Sequence, residues 1–68
     1  MTYSLHLDDY FDAEEIVAIL TEHGYSLVDR TYDVVNTLIE VEPEYNATSL
    51  DALIDALREV LFVTVSKV

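Results

Sequence analysis

The spacing of apolar residues switches repeatedly between two periods along this chain, which limits the folds it can adopt. The segment TYSLHL, residues 2–7, alternates, with Tyr3, Leu5 and Leu7 on one side, as in a half-buried strand. In the segment DAEEIVAILTEHG, residues 12–24, the apolar residues instead gather on one side of a helix. The sequence therefore predicts a first strand followed by a first helix.

Local signals mark both ends of that helix. Asp12 is a good N-cap, and Glu15 stands three residues later, as in a capping box. Gly24, the only glycine, is placed where a left-handed residue would end the helix.

The segment YSLVDRTYDVVNTLIEVEP is predicted to form two further strands, at about 25–31 and 34–42. We expect the turn between them near Tyr32 and Asp33, where no Asn-Gly pair marks it, and we expect Pro43 to stop the second of them.

The strongest amphipathic pattern lies in the second half of the chain. Its apolar residues recur at i, i+3, i+4 and i+7: Leu50, Leu53, Ile54 and Leu57. Thr48 or Ser49 is the expected N-cap of this second helix. The last segment, VLFVTVSKV, residues 60–68, is predicted to be a strand. Its two faces are Leu61, Val63 and Val65 on one side, and Phe62, Thr64 and Ser66 on the other.

The resulting order, β-α-β-β-α-β, favours one α+β fold. In a chain of 68 residues it predicts a ferredoxin-like split βαβ sandwich, a four-stranded antiparallel sheet with two helices on one face. Residues 1–68 are expected to form a single domain, because this length supports only one small core. The fold hosts many functions and assigns none.

The charge of the chain is more informative about function. Fourteen Asp and Glu oppose three Lys and Arg, for a net charge of −11. Such a charge repels nucleic acid and anionic membranes and attracts basic partners. There is no basic leader and no apolar run long enough to span a membrane, so a cytoplasmic location without export is expected. The lack of cysteine excludes a disulfide framework and a thiolate zinc site but leaves the redox compartment open.

The carboxylates are concentrated in two clusters, which are our candidates for partner binding. The first lies in DDYFDAEE and comprises Asp8, Asp9, Asp12, Glu14 and Glu15. The second comprises Asp51, Asp55 and Glu59, which recur every four residues and so form a column on one face of the second helix. Arg58 relieves part of the repulsion within that column, but no Lys stands at the usual i+4 positions.

Sequence patterns typical of catalysis are missing. Asp8, Asp9 and Asp12 could in principle converge on a hard cation, but their spacing is not that of an EF-hand, and helix capping accounts for Asp12 more simply. His6 and His23 are not spaced as a ligand pair. We therefore expect no catalytic residues, no metal, no cofactor and no enzymatic activity.

Two interpretations of the acidic surface follow. In the first, rows of carboxylates imitate a phosphate backbone, and the chain is a decoy or inhibitor of a basic nucleic-acid-binding protein. Small acidic phage proteins that disarm restriction or CRISPR machinery are similar in size and charge. In the second, the chain is a regulatory or structural module of a halophile, and the charge is an adaptation to salt.

A homodimer is compatible with either interpretation. If Leu5, Leu27, Ile39 and Val63 face the helices, the uncovered side of the sheet should carry Val28, Val34, Leu38 and Phe62 among His6, Asn36, Arg30 and Thr64. Four large apolar side chains on an open sheet would favour docking of a second copy.

Overall fold

The computed structural model describes residues 1–33 and 35–68, and within them the predicted order of elements is confirmed. The elements are β1 (Tyr3–Leu7), α1 (Ala13–Glu22), β2 (Tyr25–Asp33), β3 (Asn36–Pro43), α2 (Leu50–Leu61) and β4 (Val65–Lys67). In these two ranges of the chain, neither helix has the length and apolar character needed to cross a membrane.

The four strands form one antiparallel sheet in the order β2-β3-β1-β4. In the register of the sheet, Leu5 of β1 lies opposite Ile39 of β3 and opposite Lys67 of β4. The chain is thus an α+β protein with a four-stranded antiparallel sheet and two helices, an arrangement compatible with a ferredoxin-like fold.

One hydrophobic core joins the sheet to both helices. Each helix buries a stripe at helical spacing, Ile16, Ile19 and Leu20 in α1 and Leu53, Ile54 and Leu57 in α2. The strands contribute Leu5, Leu7, Tyr25, Ile39, Val41 and Val65 to the same cluster. The alternation in β1 and the helical periods therefore point into a common interior, as their sequence patterns predict.

The predicted helix ends are confirmed. The capping box of α1 is present, and Glu15 accepts a hydrogen bond of 3.1 Å from the backbone N–H of Asp12. Gly24 follows α1 with φ +79°, and a Cβ there would lie 2.8 Å from Cα of Ala47. Ser49 is the N-cap of α2, since its side chain accepts a bond of 3.2 Å from the N–H of Ala52.

The connection between β2 and β3 comes later than predicted. Strand β2 continues through Tyr32 to Asp33, which pairs with Asn36 at the start of β3. No Asn-Gly pair holds the turn at the predicted position, so the cross-strand pairing determines where it falls. The predicted strand start at Val34 lies outside the described residues.

A β-bulge reverses part of the predicted side-chain pattern of β2. The register shifts between Leu27 and Asp29, and beyond the shift Arg30 pairs with Ile39 and Tyr32 with Thr37. Ile39 and Thr37 face the core, so the prediction that Arg30 lies on the open side of the sheet is wrong. One extra residue in a strand exchanges its faces, and a bulge at this position has no signal in the sequence.

The end of the chain also differs from the prediction. Helix α2 continues through Leu61, Phe62 adopts a left-handed conformation, and β4 contains only Val65–Lys67. The prediction of a strand from residue 60 is therefore wrong, and so is the placement of Phe62 on the sheet. Leu61 lies four residues after Leu57, so it extends the apolar stripe of the helix as well as the alternating pattern of a strand.

Candidate functional site

The acidic loop, defined as residues 8–12 between β1 and α1, is held in place by Thr37 of β3. This threonine is fully buried; its Oγ1 donates a hydrogen bond of 2.7 Å to the carbonyl of Asp9 and accepts one of 3.1 Å from the N–H of Phe11. At the start of the loop, the N–H of Asp8 donates a bond of 3.0 Å to the carbonyl of Thr64. The path of the loop is therefore defined by contacts with two separate parts of the chain.

Two side chains of β2 hold the same loop from its other side. The hydroxyl of Tyr32 and the guanidinium of Arg30 donate hydrogen bonds of 3.0 and 3.3 Å to the carbonyl of Phe11. The ring of Tyr10 stacks on that of Tyr32 at 4.2 Å, and Arg30 lies 4.8 Å from the Tyr32 ring centre. Both β2 residues reach the loop because the bulge turns them to this side of the sheet.

Desolvation, followed by a side-chain hydrogen bond with Tyr10, raises the pKa of Tyr32 above its ordinary value of 10.0, although the charge of Arg30 acts in the opposite direction. The shift favours the neutral phenol, which is the form that donates to the carbonyl of Phe11.

The structure brings the five carboxylates of the first cluster together at the surface. Those of the loop and of the first turn of α1 are all exposed: Asp8, Asp9, Asp12, Glu14 and Glu15. Within the described residues, no Lys or Arg nitrogen lies within 4.0 Å of them. Acids at a helix N-terminus also favour the helix through its dipole.

The carboxylates of the second cluster are largely compensated. Lys67 Nζ lies 3.3 Å from a carboxylate oxygen of Asp51, and Arg58 Nη1 lies 3.7 Å from one of Asp55. Arg58 thus relieves part of the column, as predicted, and Lys67 of β4 adds a second cation that the spacing within the helix does not indicate. These side chains are mostly exposed, so each pair stabilises the fold by only about 0–1 kcal/mol.

Only part of the second cluster lies near the first. The bond between Asp8 and Thr64 places the acidic loop beside the connection that follows α2, and Glu59 lies in the last turn of that helix. Asp51 is in the first turn, about 12 Å from Glu59 along the helix axis at 1.5 Å per residue. We call the surface formed by residues 8–15 and 59–64 the acidic end of the molecule.

Large apolar side chains are exposed at the acidic end. Phe62 is 91% exposed and Val60 is 60% exposed. The stacked Tyr10 is also largely exposed. Phe62 was predicted to lie on the open sheet, and only the extension of α2 puts it here.

The open face of the sheet is more polar than predicted. Leu38 lies there, half-buried opposite His6, and Val28 is partly exposed at the bulge, while Val34 lies outside the described residues. Asp29 and Glu40 are directly opposite each other on neighbouring strands. A shallow depression of about 190 Å³ on this face is lined by residues that include Ser4, Asp29, Thr31, Leu38, Glu40 and Val68.

The two histidines occupy separate elements. His6 lies in β1, and His23 is the C-cap of α1, with its ring nitrogen 3.3 Å from Oγ1 of Thr48. In the described part of the chain, no three His, Asp or Glu side chains are placed to hold a metal ion together.

The residues that support the acidic loop were missed by sequence reasoning. Thr37, Arg30 and Tyr32 contact loop residues that are 19 to 28 positions away in the sequence, a range over which spacing rules carry no information. One signal was present: Thr37 is the polar residue in the core-facing series of β3 that continues with Ile39 and Val41. A hydroxyl at such a position needs a partner, which here is the loop.

Comparison of the chain with protein-family models, with curated proteins and with solved structures finds no match. No function is therefore carried over from another protein. The charge of the surface, the fixed acidic loop and the exposed apolar side chains beside it are the properties from which a function can be inferred.

Proposed function

We propose that this chain is a non-enzymatic acidic binding protein, an inhibitor or nucleic-acid-mimicking decoy of a basic nucleic-acid-binding protein. The protein would be encoded by a phage and would act in the host cytoplasm as an anti-defence factor of the anti-restriction or anti-CRISPR type. We also propose that the scaffold is the split βαβ form of the ferredoxin-like fold, a proposal supported by the strand order and by the single core shared by both helices.

The observation that carries the proposal is the combination of a fixed backbone with exposed carboxylates that have no Lys or Arg nitrogen within 4.0 Å in the described part of the chain. An acidic surface that served only hydration would function equally well on a mobile loop. Here Thr37, Tyr32 and Arg30 all form hydrogen bonds with the loop backbone, and the acidic residues of the loop are exposed. A surface ordered in advance loses less entropy on binding, so rigidity favours a role in recognition.

The mechanism of a decoy follows from electrostatics. Carboxylates on a rigid scaffold compete with phosphates for the Lys and Arg side chains of a nucleic-acid groove. The net charge of −11 attracts such a partner over a distance of about one Debye length, roughly 8 Å at physiological salt, and speeds association. Binding is then expected to exclude DNA or RNA from the partner and to weaken as salt is added.

The experiment is a pull-down with the tagged chain from a lysate of its host, at low salt with stepwise salt elution. We expect one dominant basic nucleic-acid-binding protein, released by added DNA or RNA. A triple variant, Asp8→Asn, Asp9→Asn and Glu14→Gln, should lose this partner, because it removes three charges of the acidic end but leaves the capping pair of α1 intact.

The matched control removes three exposed acids elsewhere, Glu22→Gln, Glu40→Gln and Glu42→Gln, and so has the same net charge as the first triple variant. It should retain the partner. If both triple variants lost the partner equally, binding would depend on total charge, and the acidic end would not be a specific interface.

A halophilic regulatory or structural module is the second candidate. Exposed acids far from the acidic end, such as Glu22, Glu40 and Glu42, favour it, since adaptation to salt would distribute charge over the whole surface. The homodimer through the open sheet that we associate with this candidate would bring Asp29, Glu40 and Glu42 of two copies together. That repulsion makes the sheet face a less suitable dimer interface than its apolar residues alone indicated.

A further inference from the structure

Phe62 occupies a backbone position that the fold alone does not explain. It ends α2 with φ 53° and ψ 48°, in the left-handed region where Gly or Asn usually stands. An L-residue with a large side chain is disfavoured there, because its Cβ approaches the following carbonyl. The ring is 91% exposed, so burial within the chain does not offset this cost.

The surroundings of Phe62 restrict what could cover it. Glu59 precedes it in the last turn of α2, and Thr64, two residues after it, is hydrogen-bonded to Asp8 of the acidic loop. Arg58 lies in the same turn, but it pairs with Asp55 and donates to the carbonyl of Val65, whereas residues 8–15 and 59–64 contain six carboxylates and neither Lys nor Arg. The exposed ring therefore lies in a negative field. A second copy would bring an equally acidic end against it, and a nucleic acid or an anionic membrane would be repelled in the same way.

We infer that Phe62 is the apolar anchor of the acidic end and inserts into an apolar patch on a basic partner protein. Val60 lies beside Phe62, and the carboxylates of residues 8–15 contribute the surrounding charge. The inference rests on the proposed function and adds the chemistry of the partner surface. On that surface, Lys or Arg side chains surround an apolar site the size of one aromatic ring. In interfaces of this kind, a central aromatic residue supplies much of the affinity and the surrounding charges control the rate of association.

The test uses the full chain and two synthetic peptides of equal length and charge. One is an amphipathic helix of Lys and Leu, which presents an apolar stripe between cations. In the other, every Leu is replaced by Gln. Dissociation constants are measured by fluorescence anisotropy between about 0.05 and about 0.5 M salt, a range over which exposed charges become screened.

The variant is Phe62→Gly, which removes the ring and suits the left-handed backbone. The control is Tyr45→Ala, which removes a fully exposed aromatic ring beside Glu44, in the connection between β3 and α2. We expect the wild-type chain to bind the Lys/Leu peptide about tenfold more tightly than the Lys/Gln peptide, a ratio typical of an anchoring aromatic residue. Phe62→Gly should abolish that ratio without changing the salt slope, and Tyr45→Ala should preserve it.

Equal affinity of the wild-type chain for both peptides, or no binding of either, would overturn the anchor. The anchor would also be overturned if Tyr45→Ala reduced the affinity ratio of the two peptides as much as Phe62→Gly does. Any exposed aromatic ring would then be sufficient for the preference. The decoy function fails separately, through a pull-down in which DNA or RNA displaces nothing. A tenfold peptide ratio that depends on Phe62, found together with that failure, would keep the anchor and reject nucleic-acid mimicry.

Discussion

At the scale of single residues, a buried hydroxyl connects the core to the candidate interface. Thr37 stands fully buried in the core-facing series of β3, and its Oγ1 donates to the carbonyl of Asp9 and accepts from the N–H of Phe11. Thr37 therefore has two roles at one position: it fills the core and it holds the acidic loop. Substitutions that keep or remove its hydroxyl separate the two roles.

We predict that Thr37→Val destabilises the chain by about 1–3 kcal/mol, because it leaves the carbonyl of Asp9 and the N–H of Phe11 without their partner. Thr37→Ser, which keeps the hydroxyl, should lose clearly less. Urea unfolding measures both, and amide exchange of residues 9–11 should accelerate in Thr37→Val alone. Equal stability of Thr37→Val and the wild type would mean that water replaces the hydroxyl.

A second residue-scale prediction concerns alkaline pH. Burial, and to a lesser extent the nearby Tyr3, raises the pKa of Tyr25 above 10.0, and the Tyr25 hydroxyl donates a bond of 2.8 Å to the carbonyl of Thr48. The folded state thus favours the neutral phenol, so its contribution to stability is complete below pH 10 and is lost as the pH rises through the folded-state pKa.

Tyr25→Phe should therefore lose less stability than the wild type between about pH 8 and about pH 11, although it is the less stable of the two at neutral pH by about 1 kcal/mol for the missing bond. Urea unfolding at both pH values compares them. Equal losses of stability in Tyr25→Phe and the wild type would mean that other tyrosines cause the alkaline destabilisation.

At the scale of elements, the end of α2 illustrates a competition between two patterns. Residues 60–68 alternate as a strand would, while Leu61 also continues the helical stripe begun at Leu50. The helix prevails because Leu61 packs against the core from the helix, and the strand that pairs with β1 begins at Val65. The chain then reverses direction through Phe62, an unusual residue for this task.

We predict that Phe62→Gly raises the free energy of unfolding by about 0.5–1 kcal/mol, since glycine adopts the left-handed conformation without steric cost. Urea unfolding would detect the change. A variant that is more stable but binds less well would indicate that Phe62 is retained for its surface and not for the fold. A loss of stability would instead reveal contacts of the ring within the chain.

At the scale of the whole molecule, net charge opposes folding and its dependence on salt separates the two candidate functions. A charge of −11 on 68 residues destabilises the compact state through repulsion, and salt screens that repulsion. The decoy needs a chain that is folded in dilute buffer, where electrostatic attraction is strongest. A halophilic module needs no such stability.

We predict that the chain is folded in dilute buffer and that its melting temperature rises only modestly, by about 5 °C, on addition of about 0.5 M potassium chloride, as expected for roughly 1 kcal/mol of relieved repulsion in a small domain. Circular dichroism during heating provides the measurement. A chain that is unfolded in dilute buffer and folds only in molar salt would favour the halophilic module.

Local chemistry was sufficient to predict the order of elements from the sequence. A capping box, a left-handed glycine and an amphipathic stripe each operate within one or two helical turns, so the sequence alone assigns Asp12 and Gly24 and limits the N-cap of α2 to Thr48 or Ser49. Tertiary structure alone decided what depends on distant pairings. The bulge after Leu27 turned Arg30 and Tyr32 toward the acidic loop, and the position of β4 brought Lys67 to Asp51. Such contacts form only once the sheet is assembled, and spacing along the chain does not encode them.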